Sequence, residues 1–558
     1  MIAPQKDFLR QPEWFAAMLI TLAIGWMHIF FLLHAGGLWR DEVNLVNLAS
    51  RHGVSDMAKD AFPVLMPLLL KSWVGIGWGP NDFTLRILGT MVGLGIVAAF
   101  WMVALRTRRP PLFSLTLFGL NATVIFYGDS LRAYGLGCLL IVLTTAAMLS
   151  FLKTPSWFRA SIMAVTAILS VQTLYQNTVI FGAICFGAWI ICWNQKNLKA
   201  AVKIFAAAVI AAMSLLPYWH NIFGLSGSGE PLRVGFQPSM ALANFSQLTA
   251  YPLPQFTIVW ELLVYILIGF SLVELRAQLS NSNPTREKPP AINLQLFATA
   301  TMLAAFVGFI SFLWFAGRRT EPWYFLPLAV ILATGFDMGI PLLSLPKWIR
   351  ATILTAVLAT AFTGITMAQR SLNQRFTNVD ELAKQLNAQA FPEDFVLVTP
   401  WFCGISFERY CRSNLTWQTL PPITDHSVHR YDLLSAEMKN PAALEPLFHQ
   451  MAATLESGHR VWIISLSNVG EIKIPDARQP PPPALPPPPL PNSGWAEWPY
   501  CANWAAQTAW FLKHNCVEFA QVETAGAKNN VSLYEHMSLF MASGWTNQPT
   551  NALTFPSR

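Results

Sequence analysis

The chain has 558 residues, of which 53% are hydrophobic and only 12% charged, and it carries a formal charge of +7. So low a charge density excludes an ordinary soluble domain, and the Lys and Arg residues lie in short clusters between apolar segments rather than along one face, which excludes a nucleic-acid partner. The sequence reads as that of a membrane protein.

The first apolar segment runs from about Trp14 to His34. It follows Lys6 and Arg10, lacks a small-residue cleavage pattern and is succeeded by further spans, so it reads as a retained helix. Apolar stretches long enough for a hydrocarbon core roughly 30 Å thick recur at 14–34, 84–104, 111–127, 135–152, 160–175, 177–193, 201–218, 256–275, 292–315, 323–341 and 351–368. They predict about eleven transmembrane helices. The clusters at 106–109, 153–159, 196–203, 276–288 and 347–350 fall on the side of Lys6 and Arg10. By the positive-inside tendency that side is the cytoplasm. The expectation is an integral protein of the plasma (inner) membrane with a cytoplasmic N-terminus. Residues 35–83, 219–255 and everything after about 370 then emerge on the outer, periplasmic or extracellular side.

Within the first outer connection, Asp41 to Ser50 reads as a short helix. Phe62 to Trp73 reads as a second, too short and proline-interrupted to span, lying along the interface. The spans stop near residue 370, which predicts a membrane domain over 1–370 and an outer α/β domain over 371–558. In the latter, Val379 to Ala390 has helical periodicity, and Phe395–Thr399, Val461–Ser465, Cys516–Val522 and Val531–Glu535 are strand candidates. The run at 479–492 is rich enough in proline to form a polyproline II surface loop. Cys403, Cys411, Cys501 and Cys516 all fall in this polar part, where four exported cysteines suggest disulfides, whereas no CxxC spacing suggests metal.

Three clusters of charge sit on the outer side. Arg40-Asp41-Glu42 follows the first span directly. Adjacent helical residues point about 100° apart, so one carboxylate can face a reaction while the other caps the helix or pairs with Arg40; a plain helix N-terminus also favours such acids. Asp129 and Arg132 share a tight turn ahead of Tyr134, where mutual neutralisation at the interface is the simpler account. Arg318 and Arg319 precede Trp323 and Tyr324; paired arginines at an outer end oppose the positive-inside tendency, and an anionic ligand such as phosphate is a reason for them, headgroup snorkelling another. In the outer domain, Asp425, His426, His429 and Asp432 match no established ligand spacing.

In their order these pieces resemble the polytopic GT-C glycosyltransferases, family 39-like, which include protein O-mannosyltransferases and lipid A aminoarabinose transferases. The resemblance is carried by an outer Asp41-Glu42 after the first span, a Pro-rich stretch ending before Phe83-Thr84-Leu85-Arg86, the Arg132-x-Tyr134 turn and the outer Trp323-Tyr324-Phe325-Leu326-Pro327. It implies a polytopic α-helical fold with a C-terminal α/β domain. It implies inverting transfer of a sugar from a polyprenyl-phosphate donor to an acceptor protein, glycolipid or glycan. Asp41, with Glu42 beside it, would be catalytic; Arg132, Arg318 and Arg319 would bind the donor phosphate; Arg40, Asp129, Tyr134 and Tyr324 would contact substrate. Some members use a divalent metal ion, for which Glu42 or Asp129 are candidate ligands. The sequence departs from the family where His-Pro-Pro is usual and Phe62-Pro63-Val64 stands, and in the spacing of Asp129 from Arg132. The outer domain is expected to bind acceptor or cover the site without chemistry of its own. A transporter or flippase is the rival reading of so many spans, but such proteins carry charged or broken helices at the midplane and internal repeats, and this chain places its charges at the span ends.

Overall fold

A computed structural model describes residues 11–58, 60–79, 81–222, 236–253, 256–280, 293–317, 320–411, 414–466, 497–523, 531–532 and 534–546. The expected proline-rich loop at 479–492 and the pair Arg318 and Arg319 lie outside the described residues. The chain forms two compact units. The first takes residues 1–33, 54–223 and 236–373, and the second takes 34–53, 224–235 and 374–558.

The first unit is helical: α1 (Pro12–His34), then, beyond α2 (Arg40–Arg51) of the second unit, α3 (Leu65–Gly75), α4 (Asp82–Thr107), α5 (Ala122–Gly128), α6 (Ala133–Lys153), α7 (Trp157–Val171), α8 (Asn177–Asn194), α9 (Leu198–Met213), α10 (Pro238–Thr249), α11 (Phe256–Ser280), α12 (Leu294–Ala316), α13 (Leu326–Gly339) and α14 (Lys347–Leu372). Among the described residues, nine helical segments are long and apolar enough to cross a membrane. This is an integral membrane protein. All eleven expected spans are helical, but two fall short. α7 has 15 residues. The 111–127 stretch is broken into a π-helical turn, Ser114–Gly119, and α5. The break has a local cause: the Asn121 side chain accepts from the amides of Thr123 and Val124 and starts a new helix.

Small residues set the closest helix contacts. α4 packs on α6 and α8 on α12. A Cβ on Gly187 would stand 2.2 Å from the Thr301 hydroxyl, closer than any contact allows.

The second unit is built on a five-stranded sheet in the order β2-β1-β3-β5-β4, from β1 (Phe395–Thr399), β2 (Thr416–Thr419), β3 (Val461–Ser465), β4 (Cys516–Gln521) and β5 (Ser538–Trp545). β1, β2 and β3 are parallel, and β5 runs antiparallel to β3 and β4. Every residue of β1 and β3 is buried, as expected of central strands covered on both faces. The covering helices are α15 (Val379–Gln389), α16 (Gly404–Tyr410), α17 (Tyr431–Met438), α18 (Glu445–Glu456) and α19 (Trp498–Asn515). Phe448 of α18 stacks on Phe511 of α19 at 4.7 Å within this core.

Three expectations are corrected here. Residues 34–53 belong with the C-terminal unit and not with the membrane domain, because α2 packs on α16 and Leu38 N–H donates to the Tyr410 hydroxyl at 2.6 Å. Val531, Ser532, Tyr534 and Glu535 do not form a strand: Val531 makes an isolated bridge to Arg375, Glu535 turns inward, and the strand that follows, β5 between β3 and β4, begins at Ser538. The cysteines form no disulfide; Cys403, Cys411, Cys501 and Cys516 sit after β1, after α16, in α19 and at the start of β4, on separate elements.

Candidate active site

In a sheet whose parallel strands reverse their winding, ligands gather at the carboxyl ends of the strands, at the switch point. Here β1 lies between β2 and β3, so that edge is where β1, β2 and β3 end and, because Ser465 pairs with Ser538, where β5 begins. The chain places Trp401, Phe402 and Cys403 just after β1, His429 after β2, Glu497 at the entry to α19 and Glu535 just before β5. Into the same cluster the first turn of α2 brings Arg40 and Asp41.

α2 starts at Arg40 because Trp39 is extended and the acids at the second and third positions favour the exposed amides. The Glu42 carboxylate accepts from Trp39 N–H at 3.4 Å, and Glu42 is fully buried. Two glycines let the preceding turn close. Gly36 has φ +68°, and Cβ atoms on Gly36 or Gly37 would run into Arg375 or Asp380, at 2.5 Å and 2.8 Å. Arg375 in turn pairs with Asp380 at 2.5 Å and Glu381 at 3.1 Å.

Arg40 fastens the helix start. Its backbone N–H donates to Glu535 Oε2 at 2.9 Å, and its guanidinium donates to the Tyr534 carbonyl at 2.6 Å while packing over Phe402 at 4.5 Å. Ser406 Oγ donates to the other Glu535 oxygen. Burial alone would lower the Arg40 pKa, but Asp41 and Glu535 outweigh it and hold the guanidinium above its ordinary value. Burial raises Glu535 to about 7, although Arg40 and the Ser406 hydroxyl oppose it.

Asp41, unlike Glu535, keeps access to solvent. Its side chain is 20% exposed, against 0% for Glu535. Oδ1 stands 3.3 Å from His429 Nε2 and 3.9 Å from Arg40 Nε. His429 is itself fixed: its backbone N–H donates to Asn44 Oδ1 at 2.9 Å, one turn along α2, and its ring lies against Tyr431 and the edge of Trp401. The Trp401 indole donates to Glu497 Oε2 at 3.1 Å. Burial raises Glu497 above the usual carboxylate range, with Trp401, His429 and Arg40 opposing. His429 Nδ1 is buried without a hydrogen-bond partner. With its proton on Nε2, His429 donates to Asp41 and holds the carboxylate aligned and partly open, which suits a proton acceptor. Sequence reasoning had dismissed His429 along with a metal; the signal that could have found it was a His-rich loop following a short strand on the same outer side as Asp41.

The remaining candidates lie in the first unit. Arg132 immediately precedes α6, its guanidinium 5.0 Å from the Phe62 ring and 6.0 Å from that of Tyr134. Tyr134 stacks on Tyr324 at 6.0 Å, and the Tyr324 carbonyl accepts from Gln176 Nε2 at 3.1 Å. Arg132, Tyr134 and Tyr324 therefore share one aromatic cluster. Asp129 is buried beside His28 Nδ1, at 2.7 Å, and Cβ atoms on Gly89 or Gly93 would strike it at 1.8 Å and 2.0 Å. Of the candidate metal ligands, Glu42 accepts from the start of its own helix and Asp129 pairs through Oδ2 with His28, leaving Oδ1 buried without a hydrogen bond. Among the described residues no group of three His, Cys, Asp or Glu is placed to hold one.

No protein-family model matches the chain, and no curated protein matches its sequence. Among solved structures it is similar to ArnT from Cupriavidus metallidurans, in the apo state at 12% identity and TM-score 0.46, covering 80% of this chain and 92% of that one. The same protein bound to undecaprenyl phosphate matches at 11% identity and TM-score 0.43, with the same coverage. The apo Archaeoglobus fulgidus oligosaccharyltransferase matches at 13% identity and TM-score 0.41, covering 83% of this chain and 70% of that one. Likenesses this distant assign neither a reaction nor a ligand to this chain.

Proposed function

We propose that the protein is an integral-membrane glycosyltransferase that moves a sugar from a polyprenyl-phosphate donor to a hydroxyl of a protein, glycolipid or glycan on the outer face of the membrane. The reading extends the sequence resemblance, and the observation that carries it is the Asp41 carboxylate, partly exposed and hydrogen-bonded to His429 at 3.3 Å. The acceptor oxygen attacks the anomeric carbon, its proton passes to Asp41, and the bond from the sugar to the phosphate oxygen breaks on the opposite face, inverting the centre. General-base help of this kind is worth roughly 10²–10⁴ in rate. The leaving polyprenyl phosphate departs as an anion and needs no acid; it needs cations. Arg132, set in its aromatic cluster, is proposed for that task, with Arg318 and Arg319 on the same outer side. Tyr134 and Tyr324 would flank the donor. Arg40 and Glu42 are assigned to holding Asp41 in place, and Asp129 to holding the turn that carries Arg132. The cation clusters support a cytoplasmic N-terminus and an outer α/β domain.

The test is complementation of a deletion strain with wild-type protein or Asp41→Asn, followed by mass spectrometry of lipid-linked sugars and envelope glycans. The variant is expected to accumulate the lipid-linked donor and lose the modified acceptor while keeping wild-type expression and thermal stability. Unchanged transfer by Asp41→Asn refutes the mechanism. Solute uptake by reconstituted protein without any sugar transfer would support a transporter instead.

A further inference from the structure

We propose that the ends of α4, α6 and α7 form a binding site for the phosphate of an anionic phospholipid headgroup. Arg106 lies in the last turn of α4 and Arg108 caps it, Lys153 ends α6, and Arg159 stands in the first turn of α7. The chain gathers them. Lys153 Nζ donates to the Arg106 carbonyl, which carries its ammonium to the end of α4. Arg159 donates to the Ser150 carbonyl at 2.9 Å, which brings its guanidinium back over the end of α6. Arg106, Arg108 and Arg159 all act electrostatically on Lys153.

Between Phe83 and Gly229 the sequence contains one acid, Asp129, which pairs with His28 near the other end of α6, about 30 Å away along the helix. Among the described residues, none of the four cations is paired with a carboxylate. Asp337 lines the adjoining cavity, but its oxygens accept from the amides of Phe113 and Ser114 at 2.8 Å and 3.0 Å. The positive-inside tendency explains cations at these ends. It supplies no counter-charge: the carbonyls that hold Lys153 and Arg159 are neutral, so the gathered like charges repel and an anion seated among them relieves that repulsion.

The surroundings identify the anion's source. Beside Arg159, Trp157 and Phe158 are 72% and 75% exposed, and Lys203 Nζ sits 4.5 Å from the Trp157 ring. Exposed aromatics interleaved with cations mark headgroup depth. A cavity of about 180 Å³ lined by Arg108, Arg109, Phe113, Pro341 and Leu342 adjoins the cluster and offers a mixed basic and apolar wall for the groups next to the phosphate. Basic pockets between helix ends take lipid headgroups in this way. The inference uses only helix ends in the first unit and is independent of the proposed reaction and of the direction of insertion.

The full-length protein is reconstituted in nanodiscs of phosphatidylcholine with one-fifth phosphatidylglycerol, re-extracted in detergent, and its retained lipid quantified by mass spectrometry. Wild type is expected to retain phosphatidylglycerol above its share of the mixture. Each neutralisation among Arg108→Gln, Lys153→Gln and Arg159→Gln should lower that enrichment about fivefold, whereas Lys199→Gln, outside the cluster, leaves it unchanged. Arg108→Lys with Arg159→Lys keeps the charge and should keep the enrichment, which separates loss of binding from loss of fold. Equal retention by wild type and the triple variant overturns the proposal. So does a rise in thermal midpoint with inorganic phosphate that matches the rise with phosphatidylglycerol, since the ligand would then be a free anion.

Discussion

Replacing Glu535 with Gln tests the electrostatics that seat the start of α2. Glu535 is fully buried, and its carboxyl is raised from an ordinary 4.5 to about 7. At roughly 1.4 kcal/mol per pH unit, that rise corresponds to about 3 kcal/mol. The native state therefore holds this proton more tightly than the unfolded chain does. The stabilisation is complete below pH 4.5 and is lost as pH rises through 7. Gln keeps an oxygen for the Arg40 amide, its NH2 can donate to the Ser406 hydroxyl oxygen in place of the bond Ser406 now donates, and it cannot titrate. His426, which burial lowers to about 4, works in the opposite sense, since its contribution is lost as pH falls below the usual imidazole value. The difference between wild type and variant is accordingly the quantity to measure. Thermal unfolding of the detergent-solubilised protein at pH 5 and pH 8 should show the wild-type midpoint dropping, relative to Glu535→Gln, by about 6–12 °C for a unit of this size. A variant whose midpoint changes with pH in parallel with the wild type would refute the assignment, as would a wild type that gains stability on Glu535 ionisation.

His429→Gln should lower transfer less than Asp41→Asn, and the double variant should be no worse than Asp41→Asn alone, because His429 is proposed to act through Asp41; additive losses in single-turnover rates would show independent roles. Gly93→Ala forces a methyl to 2.0 Å from Asp129 Oδ1 and should cost about 1–3 kcal/mol by overpacking, read as a lowered thermal midpoint. Gly25→Ala, with nothing within 4 Å, should be neutral or better. Asp337→Ala strands the amides of Phe113 and Ser114 at roughly 1–3 kcal/mol each, and proteolysis between α4 and α5 should accelerate. Arg132→Gln should raise the donor KM with little change in stability, and an unchanged KM would remove Arg132 from the donor site.

The membrane fold was legible in the sequence because hydrophobic run length is a local property and lipid leaves the backbone no choice but helix. Each predicted span is helical for that reason, including the two that fall short of crossing. The buried central strands Phe395–Thr399 and Val461–Ser465 were legible too, since continuous apolar runs bounded by turns are also local. β2 and β5 were not: Thr416–Thr419 carries little apolar signal, and Ser538–Trp545 is set as a strand by its partner β3.

The candidate site divides along the same line. Sequence alone singled out Asp41, because two acids after a span need a reason. It could not say which carboxylate stays open and which is consumed, since Asp41 and Glu42 are chemically alike and differ only in where the start of α2 points them. Nor could it assign residues 34–53 to the C-terminal unit or bring His429 to Asp41, a pair 388 positions apart in the chain. Hydropathy is summed along the chain and is written in it; the pairing of Asp41 with His429 depends on which strand ends meet at one edge of a sheet, and only the folded chain decides that.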